Sequence, residues 1–90
     1  MKFEWDPHKA EINFRKHGVS FDEAGSVLLD RRALSGSDPE HSVGESRYIT
    51  FGRSSLGRLL AVSHTYRPGA IRIITARRVT RGERKLYEES

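Results

Sequence analysis

Past the middle of the chain, the apolar side chains change from the spacing of helices to the spacing of strands, and that switch limits which folds are open to it. Before residue 30 the signals are helical. Asp6-Pro7 opens a first helix, because Asp is a good N-cap and Pro at the first helical position lacks only an N–H with no intrahelical partner. Ala10 and Phe14 stand four apart on one face, and His17-Gly18 closes the helix with a glycine free to take left-handed backbone. Ser20-Phe21-Asp22-Glu23 reads as a capping box, with Val19 and Ala24 as its hydrophobic staple. Phe21, Ala24, Val27 and Leu28 supply the buried stripe of this second helix, and the pair is expected as two short antiparallel helices with a tight joint.

After residue 46 the period is two. Residues 47–53, 58–66 and 70–78 read as strands, joined at Ser54-Ser55-Leu56-Gly57 and at Pro68-Gly69. Thr80-Arg81-Gly82-Glu83 is a further capping box, opening a short last helix through Leu86 and Tyr87. Residues 2–5 suit a short first strand, and residues 30–45 a polar loop that includes an edge strand near 32–35. The expected fold is α+β: an antiparallel β-sheet with two N-terminal helices packed on one face and a short C-terminal helix, as a single domain over residues 1–90. Strict alternation puts Ile71, Ile73 and Thr75 on one side of the last strand, and Arg72, Ile74, Ala76 and Arg78 on the other.

A chain of 90 residues has a thin margin of stability, to which a tight partner adds by mass action. No apolar run approaches the roughly 20 residues of a membrane span, and the acidic opening does not suit a signal peptide. With no cysteine, disulfides, thiolate zinc sites and a cysteine nucleophile are all excluded, which fits a cytoplasmic protein.

Charge is the informative part of the composition. Residues 1–45 hold six Lys/Arg against nine Asp/Glu, a net of −3; residues 46–90 hold ten against three, a net of +7. Nine of those ten cations are arginine, whose planar fork grips phosphate in two places. Arg58, Arg67, Arg72, Arg77 and Arg78 fall at strand ends around a partly apolar sheet, a plausible seat for a phosphate chain and its bases. The plain alternative is a soluble surface that uses Arg.

No phosphate-binding glycine loop or nucleophile elbow is present, and neither early helix has the basic face of a membrane anchor. The histidines, His8, His17, His41 and His64, lack metal-ligand spacing; Asp38, Glu40 and His41 form the one cluster worth naming, and no metal or other cofactor is expected. Ribonuclease chemistry fits the inventory better. Cleaving RNA through its own 2′-hydroxyl needs a base, an acid for the leaving oxygen, and cations to stabilise charge at phosphorus. His64 is the candidate base or acid, with a structural role as the alternative reading. Arg77 is the candidate phosphate clamp, with a salt bridge to Glu83 or Glu88 as its alternative. His17 suits either RNA contact or helix capping.

Three groups of residues, in order along the chain, carry a family likeness. The opening has Phe3-Glu4-Trp5-Asp6-Pro7, Asn13 and Lys16-His17-Gly18-Val19-Ser20-Phe21-Asp22-Glu23-Ala24. The centre has Asp38, His41-Ser42, Glu45, Arg47-Tyr48, Gly52-Arg53-Ser54 and Gly57-Arg58. The end has Ile71-Arg72-Ile73-Ile74-Thr75-Ala76-Arg77-Arg78, Thr80, Glu83-Arg84 and Tyr87-Glu88. Together they resemble the BrnT toxin family. The resemblance implies a RelE-like fold, metal-independent RNA cleavage that arrests translation and growth, and neutralisation by a DNA-binding BrnA-like antitoxin. It also implies a hetero-oligomer of two toxins and two antitoxins that meets DNA only through the antitoxin, with no membrane contact. The family's basic residues fall on Lys16, His17, Arg72 and Arg77. The expected catalytic set is thus His64, Arg58, Arg77 and Glu83, and the expected RNA-binding set Lys16, His17, Arg47, Arg53, Arg72 and Arg78. Two rival readings remain at this point: a non-catalytic RNA-binding or co-repressor subunit, and a protein whose only role is its partner.

Overall fold

The computed structural model describes residues 2–42 and 44–90, so the first residue and position 43 of the polar loop lie outside the described residues. The elements run β1 (Phe3–Glu4), α1 (Pro7–His17), α2 (Phe21–Val27), β2 (Leu34–Ser37), β3 (Tyr48–Arg53), β4 (Leu59–Arg67), β5 (Ala70–Arg78) and α3 (Arg81–Glu88). A 3-10 turn at Pro39–His41 lies between β2 and β3. The strands form one sheet in the order β1-β5-β4-β3-β2. β2 to β5 are antiparallel neighbours, but β1 runs parallel to β5, Phe3 pairing with Ile71. The α+β class holds and the all-antiparallel expectation is corrected to a mixed sheet. No hairpin joins β1 to β5; most of the chain lies between them, and a long connection permits parallel pairing.

The helix signals work as physical caps. Asp6 accepts from the N–H groups of His8 and Lys9, and Gly18, at φ +68°, donates its N–H to Phe14. Phe14, four residues from Ala10, is 56% exposed, and the buried side chain of α1 is Asn13. The reason is the site α1 occupies. β1 pairs with β5 only at Ile71 and Arg72, and further along that strand the Asn13 amide takes over the pairing. Its Nδ2 donates to the carbonyls of Ala76 (2.9 Å) and Val19 (3.1 Å), and its Oδ1 accepts from the N–H of Ala76 (3.1 Å).

α2 supplies the core. Phe21, Ala24 and Val27, with Val19, pack on Leu60, Val62, Ile73 and Ala76, and Trp5 meets Phe21 edge-on. Each large side chain so buried stabilises the fold by roughly 1.5–3 kcal/mol. Gly52 marks the closest approach of α2 to β3, since a Cβ there would lie 2.9 Å from Val27 Cγ1.

Between β4 and β5 the register slips. Ser63 pairs with Thr75 but His64 with Ile73, so Ile74 is an extra, bulged residue. Strict alternation therefore fails. Ile71, Ile73, Ala76 and Arg78 share the side that faces α2, while Arg72, Thr75 and Arg77 share the opposite side. α3 opens with a complete capping box at Thr80 and Glu83, and its Tyr87 hydroxyl donates to Asp30 Oδ2, which also accepts the Arg53 N–H. Among the described residues no helix is long and apolar enough to cross a membrane.

Candidate active site

The sheet face turned away from α2 carries a cavity of about 230 Å³. Ile49, Ser63, Thr75 and the bulged Ile74 line it from the strands, joined by Arg77, Arg47, Asp38 and His41. Local bonding explains why the 3-10 turn stands beside the sheet there. The Asp38 N–H donates to the Arg47 carbonyl (2.8 Å). Ser42 Oγ donates to the Asp38 carbonyl (2.6 Å) and accepts the Arg47 N–H (2.9 Å). The turn is thereby stitched to the entrance of β3.

Within that turn, His41 Nδ1 lies 2.9 Å from Asp38 Oδ2. A carboxylate at Nδ1 favours the tautomer with its proton there, leaving the Nε2 lone pair to act as a base. Arg77 is fixed by a bidentate pair with Glu83, at 2.8 and 3.0 Å. Arg77 holds the Glu83 carboxyl below its usual range, so Glu83 is ionised near neutral pH and has no proton to give. Glu83 is fixed in turn by the Thr80 N–H, at 2.8 Å. Arg47 makes no ion pair among the described residues, and its buried Nε has no hydrogen-bond partner. A buried, unpaired N–H beside a cavity is a strong donor for an anion.

The expected site residues separate by face. Arg47 and Arg77 come together in the cavity, and Arg72 meets Arg47 in the adjoining hollow. His64 does not reach them. It is 1% exposed and pairs in register with Ile73, whereas Arg77 pairs with Ala61, so the two residues point to opposite faces. His64 Nε2 lies 2.8 Å from Thr50 Oγ1, which is 2.7 Å from Ser35 Oγ, and the Tyr48 ring stacks beside it. Burial pushes the His64 pKa down. Those contacts tie β4 to β3 and β2.

Arg58 is also on the helix side. It forms a two-point pair with Glu23 and donates to the Gly18 carbonyl (3.0 Å), bracing the joint between α1 and α2. Glu23 is drawn off by Arg58 and by Ser54 Oγ (2.7 Å), so the capping box at Ser20 has only its first half, the Glu23 N–H to Ser20 Oγ. Arg78 lies across from Leu60 on the helix side, and Arg53 donates to the Gly57 carbonyl within its own turn. Lys16 and His17 border a third hollow, of about 280 Å³, with Ile12 and Thr75.

Sequence reasoning missed the Asp38–His41 pair as chemistry and weighed it only as a metal cluster. Among the described residues no three His, Asp or Glu side chains gather as a donor set, so Glu40 does not join the pair. The available signal was the spacing of three in Asp38-Pro39-Glu40-His41, which a proline-started turn brings onto one side.

Comparison with known proteins bears on the fold and the family. None of the curated proteins matches the chain. A crystal structure of the Brucella abortus ribonuclease toxin BrnT has the same fold, with a TM-score of 0.65 and 23% identity over 90% of this chain and 99% of that one. The family model described as "Ribonuclease toxin, BrnT, of type II toxin-antitoxin system" matches residues 5–83. The chain belongs to the BrnT family of ribonuclease toxins of type II toxin–antitoxin systems.

Proposed function

We propose that this toxin cuts RNA in the cavity between Arg47 and Arg77, using the substrate's own 2′-hydroxyl and no metal ion. The observation that carries the reading is a histidine oriented by a carboxylate, His41 on Asp38, in one cavity with two guanidinium groups. His41 Nε2 removes the 2′-hydroxyl proton, and that oxygen attacks the adjacent phosphorus. The bond to the 5′-oxygen breaks, and the departing oxygen takes a proton from the imidazolium or from water. The products are a 2′,3′-cyclic phosphate and a 5′-hydroxyl. Arg47 and Arg77 stabilise the negative charge that grows on the phosphoryl oxygens. Glu83 positions Arg77 by the two hydrogen bonds it accepts. Ile74, pushed outward by the bulge, offers apolar surface to a base, Arg72 and Lys16 extend the cationic track along the same side, and His17 stands beside Lys16 as a further hydrogen-bonding group.

The partner in this reading is a BrnA-like, DNA-binding antitoxin that covers the cavity, in a complex of two toxins and two antitoxins acting in the cytoplasm. Residues 1–90 act as one toxin domain, and operator DNA is met only through the antitoxin. The purified chain, free of antitoxin, is expected to cleave a defined RNA in EDTA, with cyclic phosphate at the new ends. His41→Asn should lower that rate by at least about 100-fold. Intact RNA with folded protein would overturn the reading; unchanged cleavage by the variant would remove His41 from it.

A further inference from the structure

A second cavity, of about 210 Å³, adjoins the first, and the two share Arg47 and Ile74. Three more cations line it: Lys9 from α1, Arg67 from the end of β4 and Arg72 from β5. Lys9, like Arg47, makes no ion pair among the described residues. Arg72 is held by Glu4 at 2.8 Å. Two acids also line the cavity. Asp6 is engaged by the N–H groups of His8 and Lys9 as the cap of α1. Glu45, in contrast, rests on Arg67 at 3.3 Å, with both side chains about 40% exposed. Such a pair adds little stability and exchanges readily for a better anion.

We infer that this second cavity is a subsite for the neighbouring phosphate of the RNA, and that Glu45 holds the place which that phosphate takes. The inference rests on the proposed cleavage site, because Arg47 lines both cavities and would touch two successive phosphates. A phosphodiester presents two anionic oxygens, as the Glu45 carboxylate does, but it arrives on a strand already held at the first cavity, and that tethering makes exchange favour the substrate. The subsite makes the toxin's minimum good substrate a trinucleotide with two phosphates, the dinucleotide with one being handled poorly.

The test compares a dinucleoside monophosphate with the trinucleotide that extends it by one residue, on either side in turn. Wild-type protein should cleave one of the two trinucleotides at least about 10-fold more efficiently than the dinucleotide, as expected for one added charge-assisted contact. Arg67→Gln should shrink that ratio. Glu45→Gln should raise it by about 2- to 5-fold, an increase that a misfolded variant cannot mimic. Matched 2′-O-methyl oligonucleotides, which cannot react, give the same ratio as binding affinity. Equal handling of di- and trinucleotides by the wild type, or a fall with Glu45→Gln, overturns the subsite. Absence of cleavage with the binding ratio intact would sink the catalytic reading and leave the subsite standing.

Discussion

A guanidinium gripped by a carboxylate is fixed in direction at some cost in free charge, and Arg77 shows both sides of that exchange. Its pairing with Glu83 aims it at the cavity, while the same carboxylate offsets part of its pull on phosphate. Arg77→Ala should therefore lower RNA cleavage by at least about 10-fold. Glu83→Gln, which keeps a hydrogen-bonding oxygen, should cost less, and gel-based rates on one RNA check the order. His64 predicts a different kind of effect. Burial depresses its folded pKa from the ordinary value of 6.5, so below that value the unfolded chain binds the proton first. Stability is full above pH 6.5 and falls as pH drops through the window beneath it. Glu23 and Glu83, both depressed from 4.5, lose their contributions only at lower pH. The melting temperature should drop between pH 7.5 and 5.5, and His64→Gln should flatten the drop. In the residue string the one mark that separates this histidine from His41 is spacing, since His41 has Asp38 three residues before it and His64 has no such acid. His64 stands in a strand with period-two neighbours and was readable as either buried or catalytic, whereas the value of His41 comes from a hydrogen bond that only the folded turn creates.

Among the elements, the caps and the strands were legible because their signals are local. Asp6-Pro7, Ser20 and Thr80 start helices where expected, and β5 begins and ends at the expected residues, Ala70 and Arg78. What escaped was long-range. Parallel pairing of β1, the extra residue at Ile74 and the role of Asn13 all depend on segments distant in the chain. The slip at Ile74 alone moves Arg77 to the side of Arg72 and puts Arg78 with the helices, so two of the six candidate arginines could not be sorted by alternation. Asn13 is where this element-scale view is most exposed to test. Asn13→Ala leaves two buried carbonyls and one N–H unpaired and should cost about 2–4 kcal/mol in urea unfolding. Asn13→Asp keeps only the acceptor and should rescue little of the loss.

On the scale of the molecule, the basic second half resolves into two populations. Arg58 and Arg78 serve the helix side, while Arg47, Arg67, Arg72 and Arg77 line adjoining cavities on the other. Net charge alone overstated the free cationic surface, since Arg58 is paired with Glu23. RNA affinity should fall with added salt, and Arg47→Gln should reduce the slope of log affinity against log salt by about 0.7, the single-strand phosphate charge that one guanidinium neutralises. An unchanged slope would place Arg47 outside the binding track.

The order in which the strands are made has its own meaning for a cell that carries this toxin. β5 receives β1 along its outer edge and the Asn13 amide beyond it, and it also brings Thr75 and Arg77 to the cavity. A ribosome must therefore release the chain through β5 before α1 can lock down or the cavity exist. If the cavity is the cutting site, as proposed, the nascent toxin stays harmless until β5 has emerged, which gives an antitoxin waiting nearby that interval to be in place.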